Sequence, residues 1–121
     1  MMARVIALGM LAVLTLLLGC NPCKEEIWNS IPSPDRQRVA VTVMRDCGAT
    51  TGEVLSVNIR PAGSSKLSAE NNALVVKHGY AINASWKDAT TLAIECHECV
   101  AKEITAKRDN IGPVHIIYDL P

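Results

Sequence analysis

The chain contains no phenylalanine, and its only aromatic side chains are Trp28, Trp86, Tyr80 and Tyr118. An apolar core must therefore be assembled from valine, isoleucine, leucine and alanine. Neither sign of charge is in excess, with 12 Lys and Arg against 12 Asp and Glu, and the one adjacent basic pair is Lys107-Arg108. Nucleic-acid binding needs a cluster of cations against the phosphates, so nucleic acid is not among the expected partners. A G-x-S-x-G nucleophile elbow and a persuasive pair of acidic residues are also missing, which argues against hydrolytic catalysis. Cys96 and Cys99 have no second closely spaced pair to complete a four-ligand zinc site.

What is present begins with an address. Met1–Leu18 carries one early positive charge, Arg4, then an apolar run from Val5 to Leu18 broken only by Gly9 and Thr15, and it leads into Leu17-Leu18-Gly19-Cys20. A membrane-spanning helix needs about 20 apolar residues. A shorter run ending in a small residue before a cysteine reads as an export signal helix over residues 1–19 with a lipobox. Cys20 then becomes the acylated first residue, and the protein is tethered to the membrane by lipid rather than threaded through it. The expected location is the bacterial cell envelope. An aspartate after the cysteine would resemble the Gram-negative signal for inner-membrane retention; Asn21 stands there instead, which permits the periplasmic face of the outer membrane. Loss of residues 1–19 removes Arg4 and no acidic residue, leaving a net charge of −1.

The remaining length supports one domain with a modest core. Residues 20–31 hold Cys23, Glu25-Glu26 and Trp28 and lack the Gly/Ser-rich composition of a flexible tether, so they read as a short lipidated segment attached to a single β domain of residues 32–121. Export favours disulfides, and with Cys20 acylated the four thiols Cys23, Cys47, Cys96 and Cys99 allow three connectivities. The favoured pairs are Cys23–Cys47 and Cys96–Cys99. The first closes a loop of about 25 residues, worth on the order of 3 kcal/mol in the loop-entropy model. Cys23 lies three residues from the lipid, a span of only about 10 Å when extended, so this bridge would hold the domain close to the bilayer.

Ser33-Pro34-Asp35 reads as a turn, because proline presets its own φ and Asp35 can accept from amides ahead of it. A strand is expected from Arg38, with Val39, Val41 and Val43 on one face and Arg38, Ala40 and Thr42 on the other; the β-branched residues place the core on the valine side. Asp46, Gly48 and Thr50-Thr51-Gly52 end it, leaving Cys47 at the strand end. Leu55, Val57 and Ile59 alternate with Ser56, Asn58 and Arg60 in a second strand that forms a hairpin with the first and stops at Pro61–Ser65. Lys66–Asn72 is polar and reads as a loop. Leu74, Val76, His78, Tyr80 and Ile82 share one parity, with a bulge at Gly79 and His78 turned inward. Trp86 is expected over a core edge. Leu92, Ile94 and Cys96 alternate with Ala93 and Glu95, and a closing strand puts Val114, Ile116 and Tyr118 opposite His115 and Ile117. Val100–Arg108 fits a helix or a strand, and its β-branched residues favour strand. The fold class is thus all-β, a small antiparallel sandwich or open barrel of five or more short strands after an N-terminal signal helix.

Ser33-Pro34-Asp35, Ala40-Val41 and Arg45-Asp46-Cys47-Gly48-Ala49-Thr50-Thr51, followed by Ser56-Val57-Asn58-Ile59, resemble an uncharacterised family of small bacterial lipoproteins. That family is built on S-P-D-G…A-V…R-D-C-G-A-T-T and a V-S-I-like strand. The resemblance covers Ser33–Arg60, implies a cell-envelope β domain and brings no catalytic residues with it. Arg36 stands where the family has glycine. The S-P-D start also resembles the hairpins of β-propeller blades, with a looser copy at Ser85–Ile94, but the chain is too short for a full propeller.

Cys96-His97-Glu98-Cys99 is where chemistry would reside. A C-x-x-C at a helix N-terminus lowers the pKa of the attacking thiol, and here the motif does follow a strand, Leu92–Ile94. Only 22 residues follow Cys99, too few for the body of a thioredoxin-like fold. As metal ligands, Cys96, Cys99 and His97 would need His78, His115, Cys23 or Cys47 to complete them. A structural disulfide across a tight turn is the simplest reading. His115 is expected in solvent, and Arg45-Asp46 as a local ion pair. Together these features point to a non-enzymatic, membrane-tethered domain, without cofactor, that binds a protein or envelope component. The alternative is a thiol redox or metal-binding module using Cys96 and Cys99.

Overall fold

The S-P-D turn joins the first two strands, β1 (Lys24–Pro32) and β2 (Arg38–Asp46), into an antiparallel hairpin. In this computed structural model, residues 23–48, 52–78 and 81–121 are described. The signal helix, Cys20, Asn21, the Thr50-Thr51 pair, the Gly79 bulge and Tyr80 lie outside the described residues. Within the turn, Ser33 C=O accepts the Arg36 N–H at 2.9 Å. The Ser33 hydroxyl donates to Asp35 Oδ1 at 2.6 Å and accepts the Arg38 N–H at 3.1 Å, while the Gln37 N–H donates to Asp35 at 3.1 Å. These bonds, the Ser33 hydroxyl first, hold the Asp35 carboxyl below its ordinary pKa. Arg36 sits at φ 59, in the left-handed region that favours glycine, which gives a physical reason for glycine in the S-P-D-G pattern.

Strand β2 continues into β3 (Glu53–Pro61) as the expected hairpin, registered from Arg38↔Pro61 to Asp46↔Glu53. Further strands are β4 (Asn72–Lys77), β5 (Asn83–Asp88), β6 (Thr91–Glu95), β7 (Ile104–Lys107), β8 (Asn110–Ile111) and β9 (Val114–Asp119). They form one sheet of order β1-β2-β3-β4-β7 and a second of order β5-β6-β9-β8. Residues 24–32 thus belong to the sheet itself: β1 is a full partner of β2 as well as being attached to the domain. All pairs are antiparallel except β6 with β9. That pair is parallel because the chain leaves β6, crosses to the other sheet as β7 and returns, the long crossover that parallel neighbours require. Val100–Arg108 resolves into a single 3-10 turn, Ala101–Glu103, followed by strand β7.

The two sheets enclose one aliphatic core. Val57, Ile59, Leu74 and Val76 from the first sheet meet Ala84, Leu92, Ile94, Val114 and Ile116 from the second, all nearly inaccessible. Two side chains stitch the sheets together. Trp86 Nε1 donates to Ile31 C=O at 2.9 Å, covering the core edge. The Tyr118 hydroxyl donates to Ala73 C=O at 2.7 Å and also lies against Arg108 C=O, and burial pushes its pKa up to about 12. Lys107 Nζ lies 4.3 Å from the ring centroid of Tyr118, a cation–π contact.

Two expectations need correction. The core does not lie on the valine side of β2. Ala40 pairs with Ile59 and Thr42 with Val57, so the residues that share the core face are Ala40, Thr42 and Met44, while Val41 and Val43 lie opposite Asn58 and Ser56 on the outer face. The valines are nonetheless buried, at 0% and 5% exposure, and the segment after β3 returns on that face, where Leu67 and Ala69 share a cavity wall with Val43. β-Branched content marked burial correctly but could not say which cover was responsible. The run Leu74–Ile82 is also not one strand. His78, at φ 73, ends β4 and is exposed, with Nε2 3.6 Å from Glu103, and β5 begins in the other sheet. A left-handed residue redirects the chain and cancels the parity argument that turned His78 inward.

Candidate functional site

The C-x-x-C segment is a closed turn at the end of β6. Cys96 and Cys99 are disulfide-bonded and only 1% and 2% exposed, part of the apolar core. Backbone bonds fix the turn: Cys96 N–H donates to Asp119 C=O at 3.0 Å and Cys99 N–H to Cys96 C=O at 3.4 Å. Disulfide exchange requires an incoming thiolate to reach a sulfur, and burial restricts that approach. The two sulfurs are bonded to each other, and the partners of exposed His97 are carboxylates. His97 Nε2 lies 3.0 Å from Asp119 Oδ2 and 3.8 Å from Glu95 Oε1.

Glu95 and Asp119 are direct neighbours in the parallel β6–β9 ladder, so two like charges face each other across the strands. His97 stands against both. The hydrogen bond to Asp119, then its charge, then that of Glu95, raise the imidazole pKa above its ordinary value. One imidazole nitrogen and two carboxylates, with donor atoms all within 4.8 Å of one another and all three residues exposed, are, among the described residues, a set of donors that could hold a divalent cation. The other two histidines are elsewhere: His78 is beside Glu103, and His115, exposed as expected, is 3.2 Å from Asn110 Oδ1. Asp119 was not foreseen, because only the strand pairing brings it to Glu95.

A second region lies where the domain meets its N-terminal segment. Cys23 and Cys47 are disulfide-bonded across the start of β1 and the end of β2, both half-buried. Arg45 is 3.8 Å from Glu25, its cross-strand neighbour, rather than paired with Asp46, whose carboxylate accepts the Gly48 N–H at 3.0 Å. Strand β1 is the edge of its sheet and ladders only with β2. A bulge between Ile27 and Asn29 inserts Trp28, and Ile27 and Trp28 are 53% and 48% exposed. Side by side, they are an apolar pair on an open strand edge. The sequence showed Trp28 but not its exposure, which depends on β1 being an edge.

The third region is the outer face of the first sheet. Asn58, in the middle of β3, is 1% exposed. Its side-chain amide donates to Ser68 C=O at 2.9 Å, which pins the 62–71 segment against the sheet, and to Asn72 Oδ1 at the start of β4 at 2.8 Å. A partly open cavity of about 180 Å³ lies there, lined by Val43, Val54, Val75, Leu67 and Asn58, with Arg45 and Glu25 also on its wall. Alternation alone puts Asn58 on the parity opposite Leu55, Val57 and Ile59 and does not foretell its burial. Among the described residues no helix is long and apolar enough to cross a membrane. Comparison of the chain with protein-family models gives no match, and neither the curated proteins nor the solved structures give one.

Proposed function

We propose that the chain is a non-enzymatic, lipid-tethered domain of the bacterial cell envelope that binds a protein partner along strand β1. The observation that carries this reading is the exposed Ile27-Trp28 pair on an open sheet edge. On either side of the bulge, and short of the Ile31 carbonyl that Trp86 occupies, such an edge presents backbone donors and acceptors to an added strand, and tryptophan is enriched among residues that anchor interfaces. The lipobox reading supports it, since acylated Cys20 would stand eight residues before Trp28 and the Cys23–Cys47 bridge would fix β1 near the bilayer. The buried Cys96–Cys99 bridge supports a structural rather than a redox role.

The test is a photocrosslinking residue placed at Trp28 or, as a control, at Ile117, which is exposed on the second sheet. In the native envelope the first position is expected to give a discrete protein adduct and the second none. Equal labelling at both, or none at Trp28, would remove β1 as the binding element. A second reading, a metal-binding module, rests on the cluster of Glu95, His97 and Asp119. Zinc titration by calorimetry decides it: a single site abolished by His97→Ala supports it, and absence of binding ends it.

A further inference from the structure

Polar groups buried in an aliphatic setting are normally hydrogen-bonded, and those that are not mark places where something is missing. Asn58 is such a case. The amide donates to the Ser68 carbonyl and to Asn72 Oδ1, and because the backbone carbonyl can only accept, the amide cannot be turned over. The oxygen is therefore fixed in place. Asn58 Oδ1 is buried and has no partner among the described residues, and Asn58 forms part of the wall of the outer-face cavity.

The surroundings restrict what can satisfy it. An anionic head is disfavoured, because the orphan atom is itself an acceptor. Glu25, the carboxylate among the lining residues, is already paired with Arg45 at 3.8 Å, so it does not compensate a buried cation. A neutral N–H or O–H donor remains. Val43, Val54, Val75 and Leu67 supply an apolar wall for the rest of the group. As for size, an apolar cavity of about 150 Å³ admits benzene, so the roughly 180 Å³ here suits about six heavy atoms.

We propose that this cavity is a binding site for a small neutral group carrying an N–H or O–H donor on a short apolar stem, the primary amide being the simplest example. The donor bonds to Asn58 Oδ1 and the stem packs against Val43, Val54 and Val75. This site stands on the fold and on Asn58, independently of the lipid tether and of strand β1. A free solute and the amide side chain of a glutamine in a peptide share this chemistry.

The experiment is an NMR titration of the exported, oxidised protein with butyramide and, separately, with N,N-dimethylacetamide, an isomer of the same size that lacks the N–H. Butyramide is expected to give saturable shifts at Asn58, Val43, Val54 and Val75, and its isomer to bind at least about tenfold more weakly, the size of effect that an unsatisfied buried acceptor produces. Val75→Phe, which fills the cavity from β4 without touching Asn58, is expected to abolish the shifts in a folded protein. A capped Ala-Gln-Ala peptide distinguishes the sources: tighter binding than butyramide identifies a side chain of a partner, and weaker binding identifies a free solute. Equal affinity for the two isomers, shifts that survive Val75→Phe, or a long-lived water at Asn58 with no saturable solute binding would overturn the proposal.

Discussion

In the middle of the first sheet, at β2 and β3, both faces carry buried residues, yet for different reasons. The inner face packs Val57, Ile59, Leu74 and Val76 against a second sheet. On the outer face Val41 and Val43 are buried, and a 62–71 segment returns beside Val43, held at Ser68 by Asn58 and at Ala69 by Arg108, with a cavity beneath. Burial fraction alone does not distinguish them. What differs is the cover: a hydrogen-bonded sheet on one side, and a loop held by two side-chain bonds on the other.

Truncation on each face separates the two most strongly. Leu74→Ala is expected to cost about 3 kcal/mol, whereas Val43→Ala, which enlarges an existing cavity under a cover able to settle, should cost about 1 kcal/mol. Urea denaturation monitored by circular dichroism measures both, and equal losses would mean that the outer cover is as rigid as the inner one.

The two disulfides extend the contrast. Cys23–Cys47 closes the longer loop, 24 residues apart against 3 for Cys96–Cys99, and its paired replacement by alanine is expected to cost about 3 kcal/mol against about 2 kcal/mol for the shorter one. Their reactivity should rank the other way. Under mild reduction, quantitative alkylation is expected to label half-buried Cys23 and Cys47 before the core-facing Cys96 and Cys99.

Arg36→Gly acts at the β1–β2 turn, away from the cover on either face. Relieving a left-handed non-glycine residue is expected to stabilise the domain by about 1 kcal/mol, raising Tm by roughly 4–8 °C for a domain of this size. An unchanged Tm would show that the turn bonds of Ser33 and Asp35 already absorb the strain.

The smallest effect is that of pH at His97, where solvent screens the charges. Because its folded pKa is raised, its contribution is complete below the unfolded value near 6.5 and fades as pH rises through the folded pKa. NMR titration should place His97 above the ordinary histidine value, and Asp119→Asn should lower it, since the bond to Asp119 is the main cause.

Much of the fold was legible because period-2 patterns survive where one parity meets the core. Leu55-Val57-Ile59, Leu92-Ile94-Cys96 and Val114-Ile116 all do so. The pattern failed at β2, where both parities are buried: Ala40 and Thr42 look weaker than the valines although they face the core. It failed again at His78, because a left-handed residue leaves little trace in a run of alternating apolar residues. The candidate regions were less legible still. Cys96 and Cys99 were visible from spacing, but Asp119 reaches Glu95 only through a parallel pairing, and Asn58 is buried by a loop whose sequence is polar.

The proposed function stands on an oxidised domain held by lipid beside the bilayer. Intact mass and cysteine mapping of the full chain, expressed and isolated from a Gram-negative envelope, test that most directly. The account predicts a protein lacking residues 1–19, acylated at Cys20, with Cys23–Cys47 and Cys96–Cys99 paired and no free thiol. An unprocessed chain, or a processed one with Cys20 unmodified or Cys96 and Cys99 freely alkylated, would contradict it.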